Sequence, residues 1–211
     1  VVIAVVDDAI LLTHEDLQPS IWTNTGEVPG DNIDNDGNGY IDDVNGWDAA
    51  DNDNNANPDN PTNTFFSHGT HCAGIIGGNG LRSGGKYSGV APGAKIIGSG
   101  LGAALFVING LAAWEWGLAN QRVYNIEVIS NSYGSSGAFS PDDPIMIASK
   151  TAYDRGITSV FAGANSGPAK GTFNRYAKAP WVIGVAAGTK EGRLADFSSR
   201  GTPKAERLGN A

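Results

Sequence analysis

Val1-Val2-Ile3-Ala4-Val5-Val6, followed at once by Asp7 and Asp8, decides how the rest of this chain is read. Successive side chains of a strand point to opposite faces, so a run with no polar face must be covered on both sides. That is the pattern of a strand inside a parallel sheet. Working outward, short apolar runs at 95–97, 127–130, 157–162 and 181–187 alternate with helical stretches at 68–77, 103–120 and 143–155. In the second helix Leu105, Ile108, Leu111 and Ala112 fall on one side. The third opens on Asp142-Asp143-Pro144, which supplies cap and first-turn chemistry, and closes at Gly156. Such βαβ alternation predicts an α/β fold, a mainly parallel sheet with helices on both faces and ligands at the carboxyl ends of the strands. The tract 31–63, rich in Asp, Asn, Gly and Pro, reads as loop throughout.

Composition narrows the function. The chain has 211 residues, 40% of them hydrophobic, enough for a substantial single core, and 1–211 is read as one partial domain. No apolar run reaches membrane-spanning length. The opening inside an apolar run suggests a processed or trimmed start. The net charge of −8 is unevenly placed: residues 1–81 carry fourteen acids and no Lys or Arg, whereas the remainder has fourteen cations against eight acids. An uncompensated acidic third suggests bound cations or solubility, and it argues against nucleic acid, which needs a basic face. Cys72 is the single cysteine and excludes an internal disulfide.

Three chemically suggestive groups fall at strand ends. Asp7 closes the first strand. His68, in Ser67-His68-Gly69-Thr70-His71-Cys72-Ala73-Gly74, opens the first helix, where the dipole should keep the imidazole neutral and able to accept a proton. Asn165, in Gly163-Ala164-Asn165-Ser166-Gly167, follows a strand and can donate to a developing oxyanion. An acid, a base and an amide donor are the requirements of acyl transfer, less the attacking hydroxyl.

These segments resemble the subtilisin-like serine proteases, the subtilases. Ile3-Ala4-Val5-Val6-Asp7 with Thr13-His14-Glu15-Asp16-Leu17 is similar to the catalytic-aspartate region, and His68-Gly69-Thr70-His71 to the catalytic-histidine motif. Ser88-Gly89-Val90-Ala91-Pro92, Ser130-Asn131-Ser132-Tyr133-Gly134, 161–167 and Ala195-Asp196-Phe197-Ser198-Ser199-Arg200-Gly201 follow in the family's order. The resemblance implies a three-layer α/β/α sandwich and peptide-bond hydrolysis by an extracellular, secreted enzyme. In it Asp7 orients His68, His68 acts as base and then acid, and Asn165 holds the oxyanion. Gly98-Ser99-Gly100 and Ser132-Tyr133-Gly134 would flank a polypeptide substrate as extended edges. Two departures stand out. Asp7-Asp8-Ala9 replaces the usual Asp-Ser/Thr-Gly, and Ala9 is expected to perturb the turn. The nucleophile motif of the family has no counterpart here, so the domain is expected to be incomplete at its C-terminal end. The fragment alone is then expected to be inactive and prone to aggregate through strand 181–187. The competing reading is a non-catalytic subtilase-like module that binds calcium and peptides.

The acidic tract carries the second signal. Asp34, Asp36, Asn38, the Tyr40 carbonyl, and Asp42 or Asp43 place oxygen ligands at alternate positions about Gly39, as at the start of an EF-hand loop. Hard oxygen donors without Cys or His favour Ca²⁺. The twelfth position is Asn45 rather than Glu. Asp16 resembles a ligand of another subtilase calcium site, completed from the loop near Asn79. Of the remaining features, Cys72 reads as a small buried helix residue, Trp114 and Trp116 as core and surface packing, and Gly98 to Gly102 as a poor match to a dinucleotide fingerprint.

Overall fold

A computed structural model describes residues 1–60, 67–104 and 106–202. Six strands form one parallel sheet: β1 (Val2–Asp7), β2 (Gly46–Asp48), β3 (Lys95–Gly100), β4 (Ile126–Asn131), β5 (Thr158–Ala162) and β6 (Ile183–Val185). Their order across the sheet is β2-β3-β1-β4-β5-β6, so the opening strand is central. All six β1 residues are buried, and they alternate as the sequence predicts. Val2, Ala4 and Val6 face a core shared with α2 (Val107–Tyr124) and α3 (Pro144–Asp154). Ile3 and Val5 face the other side, against Ala73 of α1 (His68–Gly77) together with Ile10, Leu17 and Ile96. The result is the expected three-layer arrangement. Asp7, Gly100, Asn131 and Ala162 all lie at carboxyl ends of neighbouring strands, which concentrates the chemistry along one rim.

The caps behave as the sequence implies at α3, where the Asp143 side chain accepts from the Ile145 N–H and Pro144 takes the first turn. Other expectations need correction. The tract 31–63 is not all loop, because Gly46–Asp48 forms β2 beside β3; its residues 61–63 lie outside the described residues. Three residues with a glycine among them are too short to show a period. The second helix runs later than expected and buries another face. Ile108 is exposed and Leu111 and Ala112 are only partly covered, whereas Trp114, Trp116 and Tyr124 are fully buried; Leu105 lies outside the described residues. Both tryptophans are therefore core. Their indole N–H groups reach Tyr133 Oη and Asp43 Oδ2, at 3.0 Å in each case, and these partners make the burial tolerable.

The far edge contrasts with this core. All three residues of β6 are exposed, including Ile183 and Val185.

Candidate active site

β1 delivers Asp7 to the rim and α1 begins directly opposite it. His68 Nδ1 lies 2.6 Å from Asp7 Oδ1. The carboxylate is buried, with 6% of its side chain exposed against 58% for the imidazole, so the acid is sheltered while the ring faces the open rim. Gly69 makes this approach possible. A Cβ there would stand 2.3 Å from the Ala9 carbonyl oxygen and 2.8 Å from Asp7 Cβ. The glycine after the histidine is a packing requirement.

Asp8 holds the same junction from the other side. Its carboxylate accepts the N–H groups of His68 (3.1 Å) and Gly69 (2.6 Å) at the start of α1, and that of Ala9 (2.8 Å). A side chain sixty residues distant thus caps the helix. Ala9 is buried and has no left-handed backbone, so the expected perturbation of this turn is not seen.

Electrostatics also revise the expectation for His68. Burial pulls its pKa down, but the Asp7 hydrogen bond and the charges of Asp7 and Asp8 outweigh burial and hold it above the ordinary imidazole value. The two carboxylates at the helix start favour the charged ring, where the dipole alone was expected to favour the neutral one. Asp7 is pushed upward by burial, against the hydrogen bonds from His68 and the Asp8 N–H. Its Oδ2 is buried with no hydrogen-bond partner.

Two hollows meet at this junction. A cavity of about 200 Å³ is lined by Asp7, Asp8, His68, Leu101, Gly102, Ala103, Ser132 and Tyr133. A larger one, about 640 Å³, shares Ser132 and includes Cys72, Asn165, Ile75, Val185 and Phe197. Asp7 and His68 line the smaller hollow and Asn165 the larger, with Ser132 common to both. Asn165 is exposed and follows Ala164, whose φ of 76° is costly for a residue with a Cβ and turns the chain out after β5. Ser132-Tyr133-Gly134 runs on beyond the end of β4 at the cavity wall; the Tyr133 carbonyl accepts from Asn174 at 3.0 Å. Gly98-Ser99-Gly100 does not form an edge as expected. It is paired with β1 on one side and β2 on the other, so its backbone is already engaged, and Leu101 to Ala103 take the place beside His68. Cys72 is half-buried rather than buried, with Sγ 3.9 Å from His68 Nδ1.

The acidic loop folds onto the helix layer. Carboxylate oxygens of Glu27, Asp36 and Asp43 lie within 4.8 Å of one another. Asp43 is fully buried and accepts from Trp116 Nε1, Tyr124 Oη, Asn24 and Asn38. Burial pushes its pKa up against those donors. The ring of ligands expected from spacing is only partly assembled. Asp34 accepts the N–H groups of Gly37, Asn38 and Gly39, and Asp42 those of Gly30 and Asn32, and neither belongs to the carboxylate cluster. The Tyr40 ring packs edge-on against Trp47. Glu27, which spacing gave no reason to include, joins the cluster while accepting from the N–H groups of Asn35, Asp36 and Asp42. Asp16 does meet the loop near Asn79: its carbonyl accepts the Asn79 N–H at 2.8 Å and its carboxylate the Arg82 N–H at 2.9 Å. It belongs to none of the three-residue ligand clusters among the described residues.

Comparison with known proteins accords with this geometry. The subtilase family profile matches residues 1–207. The serine protease AprX of Bacillus subtilis is 32% identical over 157 residues, covering 64% of this chain and 34% of that protein. The minor extracellular protease Epr of the same organism is 31% identical over 141 residues, covering 64% and 20%. Among solved structures, Sphericase superposes with a TM-score of 0.72 at 26% identity, over 96% of this chain and 59% of that one. The S41 psychrophilic protease gives 0.73 at 27%, over 96% and 60%. The chain thus spans about a third of AprX and about three fifths of these solved proteases.

Proposed function

The chain belongs to the subtilase family, and on that footing we propose that it carries the acid, base and oxyanion donor of a serine endopeptidase acting on polypeptides. The observation that carries this reading is the 2.6 Å contact between a buried Asp7 and a His68 ring open to the rim. The attacking serine is proposed to come from a part of the parent protein outside these 211 residues. Ile75, Val185 and Phe197, each about half exposed around the larger cavity, support that reading by leaving apolar surface for further chain to cover.

In the proposed cycle the serine hydroxyl attacks the scissile carbonyl and gives its proton to His68 Nε2. The imidazolium is stabilised through Nδ1–H by Asp7, whose sheltered charge stays in place throughout. The exposed Asn165 amide donates to the oxyanion, an interaction that strengthens as charge develops. His68 then returns the proton to the leaving amine, and water repeats the sequence on the acyl-enzyme. Substrate would lie along Leu101 to Ala103 and Ser132 to Gly134. We assign Ca²⁺ to the Glu27, Asp36 and Asp43 cluster. The donors are hard oxygens, and no Lys or Arg pairs with these carboxylates among the described residues. A bound cation would supply countercharge there and stabilise the loop. The name of the related Epr supports an extracellular location.

The test compares the chain with its parent protein. The parent should cleave a peptide substrate and label with a serine-directed phosphonate. His68→Ala should lose turnover by on the order of 10⁴- to 10⁶-fold, the range that triad removal costs in subtilisin. The 211-residue chain alone should do neither. A folded parent that neither cleaves nor labels would leave the non-catalytic module as the correct description.

A further inference from the structure

We infer that Asn174 is a positioning residue that straps the proposed substrate edge beyond β4 to the proposed oxyanion loop beyond β5. The parallel ladder between these two strands ends at Asn131 and Phe161, and Ala162 pairs instead with Val185 of β6. Past that point the sheet no longer sets the distance between Ser132-Tyr133-Gly134 and Gly163-Ala164-Asn165. Asn174 stands across the opening. Its Nδ2 donates to the Tyr133 carbonyl at 3.0 Å and to the Ala162 carbonyl at 2.7 Å. Its Oδ1 accepts the N–H groups of Ser135 (3.2 Å) and Tyr176 (3.1 Å). Its own N–H reaches the Gly163 carbonyl at 3.0 Å. The residue is 1% exposed, and both amide hydrogens and both lone-pair positions of the side chain are used.

The contact is close as well as saturated. A Cβ on Gly134 would stand 2.5 Å from Asn174 Cγ and Nδ2, so the substrate edge rests directly on the amide. The segment that carries Asn174 is itself fastened. Arg175 donates its N–H to the Ser135 carbonyl at 2.9 Å, and its guanidinium pairs with Asp143, the cap of α3. Lys178 Nζ donates to the Gly137 carbonyl at 2.7 Å. Asn174 therefore acts through its neighbours, by keeping a carbonyl presented along 132–134 in line with the Asn165 amide. Misplacing reacting groups by about 1 Å can cost on the order of 100-fold in rate. The strap stands on the geometry alone; its consequence for turnover rests on the peptidase reading above.

The experiment uses the parent protein, with rates divided by the amount of enzyme that a serine-directed phosphonate labels at end point. Asn174→Ala should lower kcat by on the order of 10- to 100-fold, while KM changes by less than about threefold. In an Asn165→Ala background the same substitution should cost less than about threefold, because the donor it aligns is gone. A residue that only fills the core would lower the labelled fraction and leave the rate per labelled site alone. Asn174→Asp is a second variant that keeps the acceptor for Ser135 and loses both donors, and it should lower kcat likewise. Hydrogen exchange at the Ser135 amide reads the strap without turnover: it should be protected in the wild type and in Asn174→Asp, and lose protection in Asn174→Ala. An unprotected Ser135 amide in the wild type, an unchanged rate per labelled site, or losses that simply multiply in the double variant overturns the inference. A parent that neither cleaves nor labels, yet loses Ser135 protection in Asn174→Ala, overturns the peptidase reading and leaves the strap standing.

Discussion

Asp7 and Asp43 are both carboxylates that the fold has withdrawn from water, and burial pushes both pKa values up. Their surroundings differ in kind. Asp43 is held by donors that do not change charge near neutrality, namely an indole, a phenol and two amides. Asp7 has a titratable partner in His68 and an Oδ2 left unpaired. A saturated buried acid anchors structure, because removing it strands its donors. An acid set against a titratable base shifts the charge of that base at little structural cost. The difference shows that burial alone does not mark a site; the partner's capacity to change charge does.

The sharpest test exchanges the consequences of the two. Asp7→Asn should lower kcat of the intact enzyme by on the order of 10⁴-fold, because the amide favours the wrong imidazole tautomer. Its urea midpoint should move little. Asp43→Ala should do the reverse, with kcat retained at temperatures where the protein is folded and stability lowered by about 3 kcal/mol, since Trp116, Tyr124, Asn24 and Asn38 lose their acceptor. Equal destabilisation by both variants would break the comparison.

The Ca²⁺ proposed for this cluster gives a second handle on the anchoring region. Raising Ca²⁺ to about 100 times its dissociation constant should stabilise the protein by about 2.7 kcal/mol, read as a shift in melting temperature. Asp43 binds its proton more tightly folded than unfolded, so its contribution to stability is present below the ordinary carboxylate value and lost as pH rises through the raised one. Calcium should offset that loss. Its stabilising effect should therefore be largest at neutral pH and shrink as Asp43 protonates. A pH-independent calcium effect would remove Asp43 from the ligand set.

Within the same anchor, Tyr124→Phe should cost about 2 kcal/mol, because its hydroxyl donates to Asp43 Oδ2 at 2.6 Å and accepts from the Asn24 and Asn38 amides. A denaturation curve indistinguishable from wild type would show that Asn24, Asn38 and Trp116 suffice.

What the sequence disclosed and what it hid follow from range. The unbroken β-branched run of β1 and the capped start of α3 are local patterns, and both were legible. So was the placement of Asp7 and Asn165 at or just after strand ends, because such ends share one rim in a parallel sheet. Glu27 was not, since it enters the acidic cluster through a fold-back that joins it to the N–H groups of Asn35, Asp36 and Asp42. The engaged state of Gly98 to Gly100 was hidden for a similar reason: it depends on β2, three residues without a period. The upward shift of His68 escaped because the dipole of α1 is a local inference, whereas Asp8 acts on that helix from sixty residues away.

Asp8 supplies the smallest predicted effect and the finest test of the comparison, because it tunes His68 without touching the reacting atoms. Its charge helps to hold the imidazole above its ordinary value and offsets the positive end of α1. Asp8→Asn removes the charge and keeps one acceptor oxygen for the cap. Loss of the charge favours the neutral ring directly and also leaves the positive end of α1 unopposed. The base works unprotonated, so the acid limb of kcat/KM should move to lower pH, while the alkaline plateau changes by less than about tenfold, under about 1.4 kcal/mol. Stability should change with the same sign. A histidine raised in the folded state stabilises below its unfolded pKa and loses that contribution as pH rises through the folded one, so the variant should lose stability mainly on the acid side. Nuclear magnetic resonance titration of the His68 ring reads the shift directly. An acid limb that stays in place in folded Asp8→Asn would mean that Asp7 alone sets the base, and that Asp8, like Asp43, serves only as an anchor.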